Sequence, residues 1–162
     1  MKHKISVAFC VILIILTVGF IWNNSRKPAK QSQADSAAIT EKIENVISKD
    51  ASGDENSFIK LSVAKIRKAA HAIEFFVLGA VLTALTFILK KRFTPQLLWN
   101  ILSAALAIAV VDESIQILSG RGPTVYDVLL DFCGAVIGFL LTLFISFIIS
   151  SLKRGKRKYA KN

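Results

Sequence analysis

The chain has 162 residues, 53% of them hydrophobic, with a mean hydropathy of +0.52 and a formal net charge of +10. So much apolar side chain excludes a chain disordered throughout, and the lack of short repeats excludes collagen-like and coiled-coil rods. The apolar residues fall in blocks rather than at regular spacing, which argues against a water-soluble globule.

Four blocks stand out in chain order: Ile5–Trp22, Ala72–Leu89, Leu97–Leu118 and Tyr126–Leu152. Each is about as long as the 17–25 residues that a spanning helix needs. The expected fold is therefore all-α: a polytopic membrane protein with four transmembrane helices in a small bundle. The first block follows Lys2-His3-Lys4 and ends in bulky Phe20-Ile21-Trp22 rather than in small residues. It reads as an uncleaved N-terminal anchor over residues 1–22 and not as a signal peptide. Cys10 and Cys133 lie inside apolar runs, so no disulfide framework is expected, and no Cys/His spacing points to zinc.

Between the first two blocks lies a loop whose polar start, Asn24 to Ser36, reads as flexible. From Ala37 to Lys49, Ile39, Ile43, Val46 and Ile47 recur at helical spacing. Asp50 to Asp54 reads as a turn, and Phe58, Ile59, Leu61, Val63 and Ile66 suit a segment lying in the membrane interface. The organisation expected is an anchor (1–22), an extracytoplasmic loop with short amphipathic helices (23–62), a membrane domain of three helices (63–152) and a basic tail (153–162).

Charge predicts the orientation. Lys2 and Lys4, then Lys90, Lys91 and Arg92, then six residues from Lys153 to Lys161, make eleven basic residues with no acid among them. Four spans put all three segments on one side, and the excess of Lys and Arg makes that side the cytoplasm. Both termini are then cytoplasmic. The basic tail reads as this topology signal beside anionic lipids, and nucleic-acid binding is not expected.

The opposite ends of the spans carry polar residues that a membrane helix rarely holds. His71 and Glu74 open the second span; Asp112, Glu113 and Gln116 close the third; Asp127 and Asp131 open the fourth; Arg67, Lys68 and Arg121 lie in the flanking external segments. At about 1.5 Å of rise per residue, Glu74, Asp112 and Asp131 lie roughly 24, 26 and 33 Å from the far ends of their helices. Against a hydrocarbon core of about 30 Å, all three reach one level. Arg67, His71 and Glu74 share a helical stripe, as do Asp112 and Gln116, and as do Asp127 and Asp131 with Gly134 and Gly138 below them. Such glycines let another helix approach closely.

These residues resemble the VanZ-like family of bacterial membrane proteins, named for a teicoplanin-resistance protein. The resemblance rests on Arg67-Lys68-Ala69-Ala70-His71-Ala72-Ile73-Glu74-Phe75, on Asp112-Glu113-Ser114-Ile115-Gln116, and on Arg121-Gly122-Pro123-Thr124 with Asp127-Val128-Leu129-Leu130-Asp131, over roughly residues 63–150. Phe75 stands where the family pattern has tyrosine, and Asp131 where asparagine is common. The resemblance implies a multi-pass protein of the bacterial plasma membrane linked to glycopeptide resistance. It supplies no catalytic mechanism.

Two functions are expected from the polar residues. In the first, Arg67, Lys68, His71, Glu74, Asp112, Glu113, Gln116, Arg121, Asp127 and Asp131 form a non-catalytic binding site. Its partners would be membrane lipids, in particular a lipid-linked peptidoglycan precursor at the outer leaflet. In the second, His71 is a general base oriented by Glu74, acting on a lipid-linked phosphate. Asp112, Glu113, Asp127 and Asp131 offer the oxygen ligands that Mg²⁺ takes, yet the balance of the sequence favours no metal and no cofactor. A homo-oligomer is compatible with so small a bundle.

Overall fold

The computed structural model describes residues 2–50, 63–90, 94–122 and 124–159, and all regular structure among them is helical. The helices are α1 (Lys2–Ser25), α2 (Ala29–Asp50), α3 (Val63–Lys90), α4 (Pro95–Leu118) and α5 (Val125–Tyr159). Four of them, α1, α3, α4 and α5, are long and apolar enough to cross a membrane, as the four blocks lead one to expect.

The most extensive interface joins α3 to α5; α1 and α2 also pack on α3, and α4 on α5, α1 and α3. The α3–α5 seam has a simple cause. A Cβ placed on Gly79 would strike the Ala135 backbone carbonyl. One on Gly134 would strike that of Ala72, and one on Gly138 that of Phe76. The stripe of small residues is therefore occupied by neighbouring backbone, the close packing that membrane helices use where hydrophobic drive is weak. Ile21, Phe75, Leu78, Ala105, Ala109 and Ala135 form a core to which all four spanning helices contribute. Phe75 is fully buried there, so the ring serves packing and a hydroxyl would need a partner.

Helix ends follow local rules. Thr94 caps α4 by accepting from the Leu97 N–H, with Pro95 at the first helical position. Helix α5 has 35 residues, about 52 Å at 1.5 Å each. It continues through Lys153 and on to Tyr159, so most of the basic tail prolongs the last span as helix.

One expectation is corrected. Residues 24–36 are not a flexible linker: α1 runs on to Ser25 and α2 starts at Ala29. Pro28, which lacks an N–H, stands just before the first turn of α2 and accepts from the Ser32 N–H. Ser32, Ser36 and Thr40, four apart, are all buried. Ser36 and Thr40 donate back to the carbonyls of Ser32 and Ser36 at 2.9 and 2.8 Å. A polar helix can thus pack on protein because its hydroxyls satisfy themselves. The expected turn at residues 51–54 and the interfacial residues 58–62 lie outside the described residues; Val63 to Ile66 form the first turn of α3.

Candidate functional site

The connection from α4 to α5 is fixed by two helix-end motifs. Gly120, with φ of 71°, terminates α4 in the left-handed region. The Gly120 N–H donates to the Ile117 carbonyl and the Arg121 N–H to that of Gln116, both at 3.1 Å. This is a Schellman cap, and it sets the position of Arg121. Three residues later Thr124 begins α5 with a reciprocal capping box. The Asp127 N–H donates to Thr124 Oγ1 at 3.3 Å, and the Thr124 N–H to Asp127 Oδ2 at 3.2 Å. Asp127 also accepts from Lys68 of α3, whose ammonium stands 5.7 Å from the centre of the Tyr126 ring.

Beneath this turn lies a buried polar network. Asp112 is wholly buried; its Oδ1 accepts from Ser25 Oγ at 2.6 Å and its Oδ2 from Gln116 Nε2 at 2.9 Å. The same Gln116 amide donates to Glu113 Oε1 at 2.9 Å. Glu74 accepts from Asn24 Nδ2 at 2.8 Å, and its other oxygen is 3.5 Å from His71 Nδ1. That separation is an ion-pair contact and too long for a strong hydrogen bond. Asp131, 2% exposed, keeps a buried Oδ2 with no hydrogen-bond partner. Buried polar atoms of Glu113 (Oε2), Arg121 (Nε) and His71 (Nδ1) share that condition.

Arg121 reaches across to α1 and α2, donating to Ser32 Oγ and, at 3.5 Å, to the Ser25 carbonyl. Burial and the neighbouring Arg67 pull its pKa below the usual guanidinium value, though a guanidinium remains charged. Two cavities flank this arginine. The first, about 180 Å³, is lined by Arg67, Lys68, His71, Glu113, Gln116, Arg121, Asp127 and Asp131, with Ala29 and Gln33 of α2. The second, about 450 Å³, lies on the other side of Arg67, His71 and Arg121 and is bounded by Asn24, Glu74 and α2 residues. All ten residues singled out in the sequence thus meet at one end of the bundle. Eight line the first cavity, Glu74 lines the second, and Asp112 anchors the network between α1 and α4.

A sequence model of the VanZ/LLP1 family matches residues 9–147. The chain belongs to the VanZ/LLP1 family. No curated protein and no solved structure matches it. With four spanning-length helices, this VanZ/LLP1 protein is a multi-pass membrane protein. The match reaches back into α1 and takes in α2.

It is α1 and α2 that hold the polar partners sequence reasoning missed: Asn24, Ser25, Ser32 and Gln33. A signal existed for some of them. Asn23-Asn24-Ser25 is a polar end directly behind an apolar span, at the depth where the other spans turn polar, and Ser32, Ser36 and Thr40 keep helical spacing. Chemically, the VanZ/LLP1 site offers three cations to an anionic group and a half-buried His–carboxylate pair.

Proposed function

We propose that this end of the bundle faces the outside of a bacterial plasma membrane and binds an anionic lipid-linked group at the outer leaflet. The favoured ligand is a cell-wall precursor, held without catalysis, and such binding would underlie a glycopeptide phenotype of the teicoplanin type. The observation that carries this reading is the pair of cavities flanking Arg121, whose buried Nε has no partner. Arg67 and Arg121 border both cavities and Lys68 the first; guanidinium groups suit two-pronged phosphate recognition. The excess of Lys and Arg at the other helix ends supports the orientation. In the unit so proposed, residues 63–152 are the membrane domain, preceded by an anchor (1–22) and an extracytoplasmic segment (23–62).

The test is Arg121→Lys beside Arg121→Ala. Lipids co-purifying with wild type are identified by mass spectrometry, and teicoplanin susceptibility is measured at equal protein levels. Loss of the retained anionic lipid in both variants, with normal expression, is the expected result. Full retention in both would refute the reading, and full retention in the lysine variant alone would reduce Arg121 to a charge partner. Orientation is checked separately: a cysteine at exposed Lys30 should react with an impermeant thiol reagent in intact cells, and one at Ala160 should not.

A second reading is favoured by the His71–Glu74 pair at 3.5 Å: general-base catalysis on a lipid-linked phosphate. Turnover of such a substrate by wild type and not by His71→Gln would establish it.

A further inference from the structure

His71 of α3, Asp112 of α4 and Asp131 of α5 each offer a ligand atom, and these atoms lie within 4.8 Å of one another. The three residues come from three helices and are separated by 41 and 19 positions, so only the folded bundle assembles them. We propose that they bind a divalent transition-metal ion, with Zn²⁺ the best-fitting ion. The site does not depend on what occupies the cavity beside it.

Four observations converge. First, Asp131 is 2% exposed and carries a buried oxygen without a partner; a buried carboxylate in that state is costly unless something positive meets it. Second, the local charges do not balance. In the buried network and the two cavities, Glu74, Asp112, Glu113, Asp127 and Asp131 face Arg67, Lys68 and Arg121, while Lys27 and Asp35 pair with each other; with His71 neutral, as a ligand must be, two negative charges are left over when the carboxylates are ionised. Lys68 is already committed to Asp127. A divalent cation supplies what is missing.

Third, the ligands are held as metal ligands are. Asp112 accepts one hydrogen bond on each oxygen, from Ser25 and Gln116, which aims the carboxylate and leaves each oxygen a further lone pair. Glu74 stands 3.5 Å from His71 Nδ1, near enough to become, by a small approach, the carboxylate partner that a ligating histidine has. Fourth, the geometry is close. Atoms bonded at about 2.1 Å to one tetrahedral ion lie about 3.4 Å apart, so the three side chains, now within 4.8 Å of one another, would close by up to about 1.4 Å on binding, within reach of side-chain rotation.

The donor set decides the ion. Mg²⁺ and Ca²⁺ prefer shells of oxygen alone; an imidazole nitrogen with two carboxylates shifts preference to Zn²⁺ or a similar metal. Three protein ligands leave a coordination position open. His71 and Asp131 also line the 180 Å³ cavity, so that position faces the pocket.

The experiment uses full-length protein in detergent, stripped with chelator, carrying Cys10→Ser and Cys133→Ser so that no thiol competes. Titration with Zn²⁺ should give one ion per chain and a raised melting temperature. Asp131→Asn and His71→Gln should each lower the affinity at least tenfold, since even losing an orienting neighbour of a metal ligand costs about 10–100-fold. Both should abolish the melting shift, whereas Asp35→Asn, on an exposed residue, should change neither. X-ray absorption of the wild-type complex should show nitrogen and oxygen ligands, imidazole included, at about 2.0–2.1 Å; this reading survives even if a variant fails to fold. Absence of stoichiometric binding, a shell without imidazole, or unchanged affinity in folded Asp131→Asn and His71→Gln would each overturn the proposal. Arg121 is not among the proposed ligands and lipid is not the readout, so Zn²⁺ binding and lipid retention can fail separately.

Discussion

The bundle is joined in two different ways. Along the α3–α5 seam, below the Lys68–Asp127 ion pair, Gly79, Gly134 and Gly138 bring backbone against backbone, and these glycine contacts involve no side-chain chemistry. At the polar end, α1 meets α3 and α4 through side chains: Asn24 to Glu74 and Ser25 to Asp112. The first joint depends on volume and the second on partners. An added methyl should ruin the one and leave the other, and a deleted hydroxyl should do the reverse. The difference locates function, because a joint made of backbone offers a ligand nothing, while a joint made of charged groups offers it donors and acceptors.

The largest effect expected tests the seam. Gly138→Leu places carbon on the Phe76 carbonyl, and overpacking of this kind costs about 1–3 kcal/mol or more. With rigid backbone as the obstacle, the loss should exceed that range. Size-exclusion chromatography in detergent should show loss of the monodisperse peak. Gly19→Leu, where nothing lies within 4 Å, should elute as wild type. Equal behaviour of the two would break the comparison.

At the polar joint, Ser25→Ala removes the donor to a fully buried carboxylate. The cost should be about 1–3 kcal/mol, read as a lower melting temperature, and Asp112→Asn in the same chain should return part of it. A purely additive double mutant would show that the hydrogen bond does not join the helices.

Thr124→Ala, which opens the capping box of α5, should cost about 1 kcal/mol. Lys27→Ala, which breaks the exposed 2.8 Å ion pair with Asp35, should change stability by less than about 0.5 kcal/mol. A Lys27 effect larger than the Thr124 effect would mean that α2 is held by surface charge rather than by its buried face.

Much of this arrangement was legible in the sequence, for physical reasons. A spanning helix must be apolar for its whole length, so the blocks announced the helices. A charge in such a helix is costly enough to be informative, so His71, Glu74, Asp112 and Asp131 announced their common level, and the glycine stripe announced the seam. What failed was the first part of α2: Ala37 to Lys49 is legible as helix from its apolar spacing, whereas Asn24 to Ser36 reads as a linker. Ser32, Ser36 and Thr40 keep helical spacing, but spacing alone does not say whether such a helix is solvated or packed. Nor could spacing say that Ser25 would find Asp112, 87 positions away, because a long-range pairing is decided by how whole helices pack.

One consequence follows from the depth of the polar end. Asp131 lies about 32 Å along α5 from Leu152, close to the thickness of the hydrocarbon core; in the proposed placement the cavities beside Arg121 would open at the level of the lipid headgroups. A group tethered in that layer is confined to a thin slab and meets the pocket at a high effective concentration. An intrinsic affinity too weak to detect with a soluble fragment is then enough for occupancy. If the pocket takes the lipid-linked group proposed above, its task would be discrimination among headgroups, and discrimination is a difference between affinities rather than a large one. Measurements with water-soluble headgroup analogues should therefore be compared with one another, and their ranking carries more than their strength.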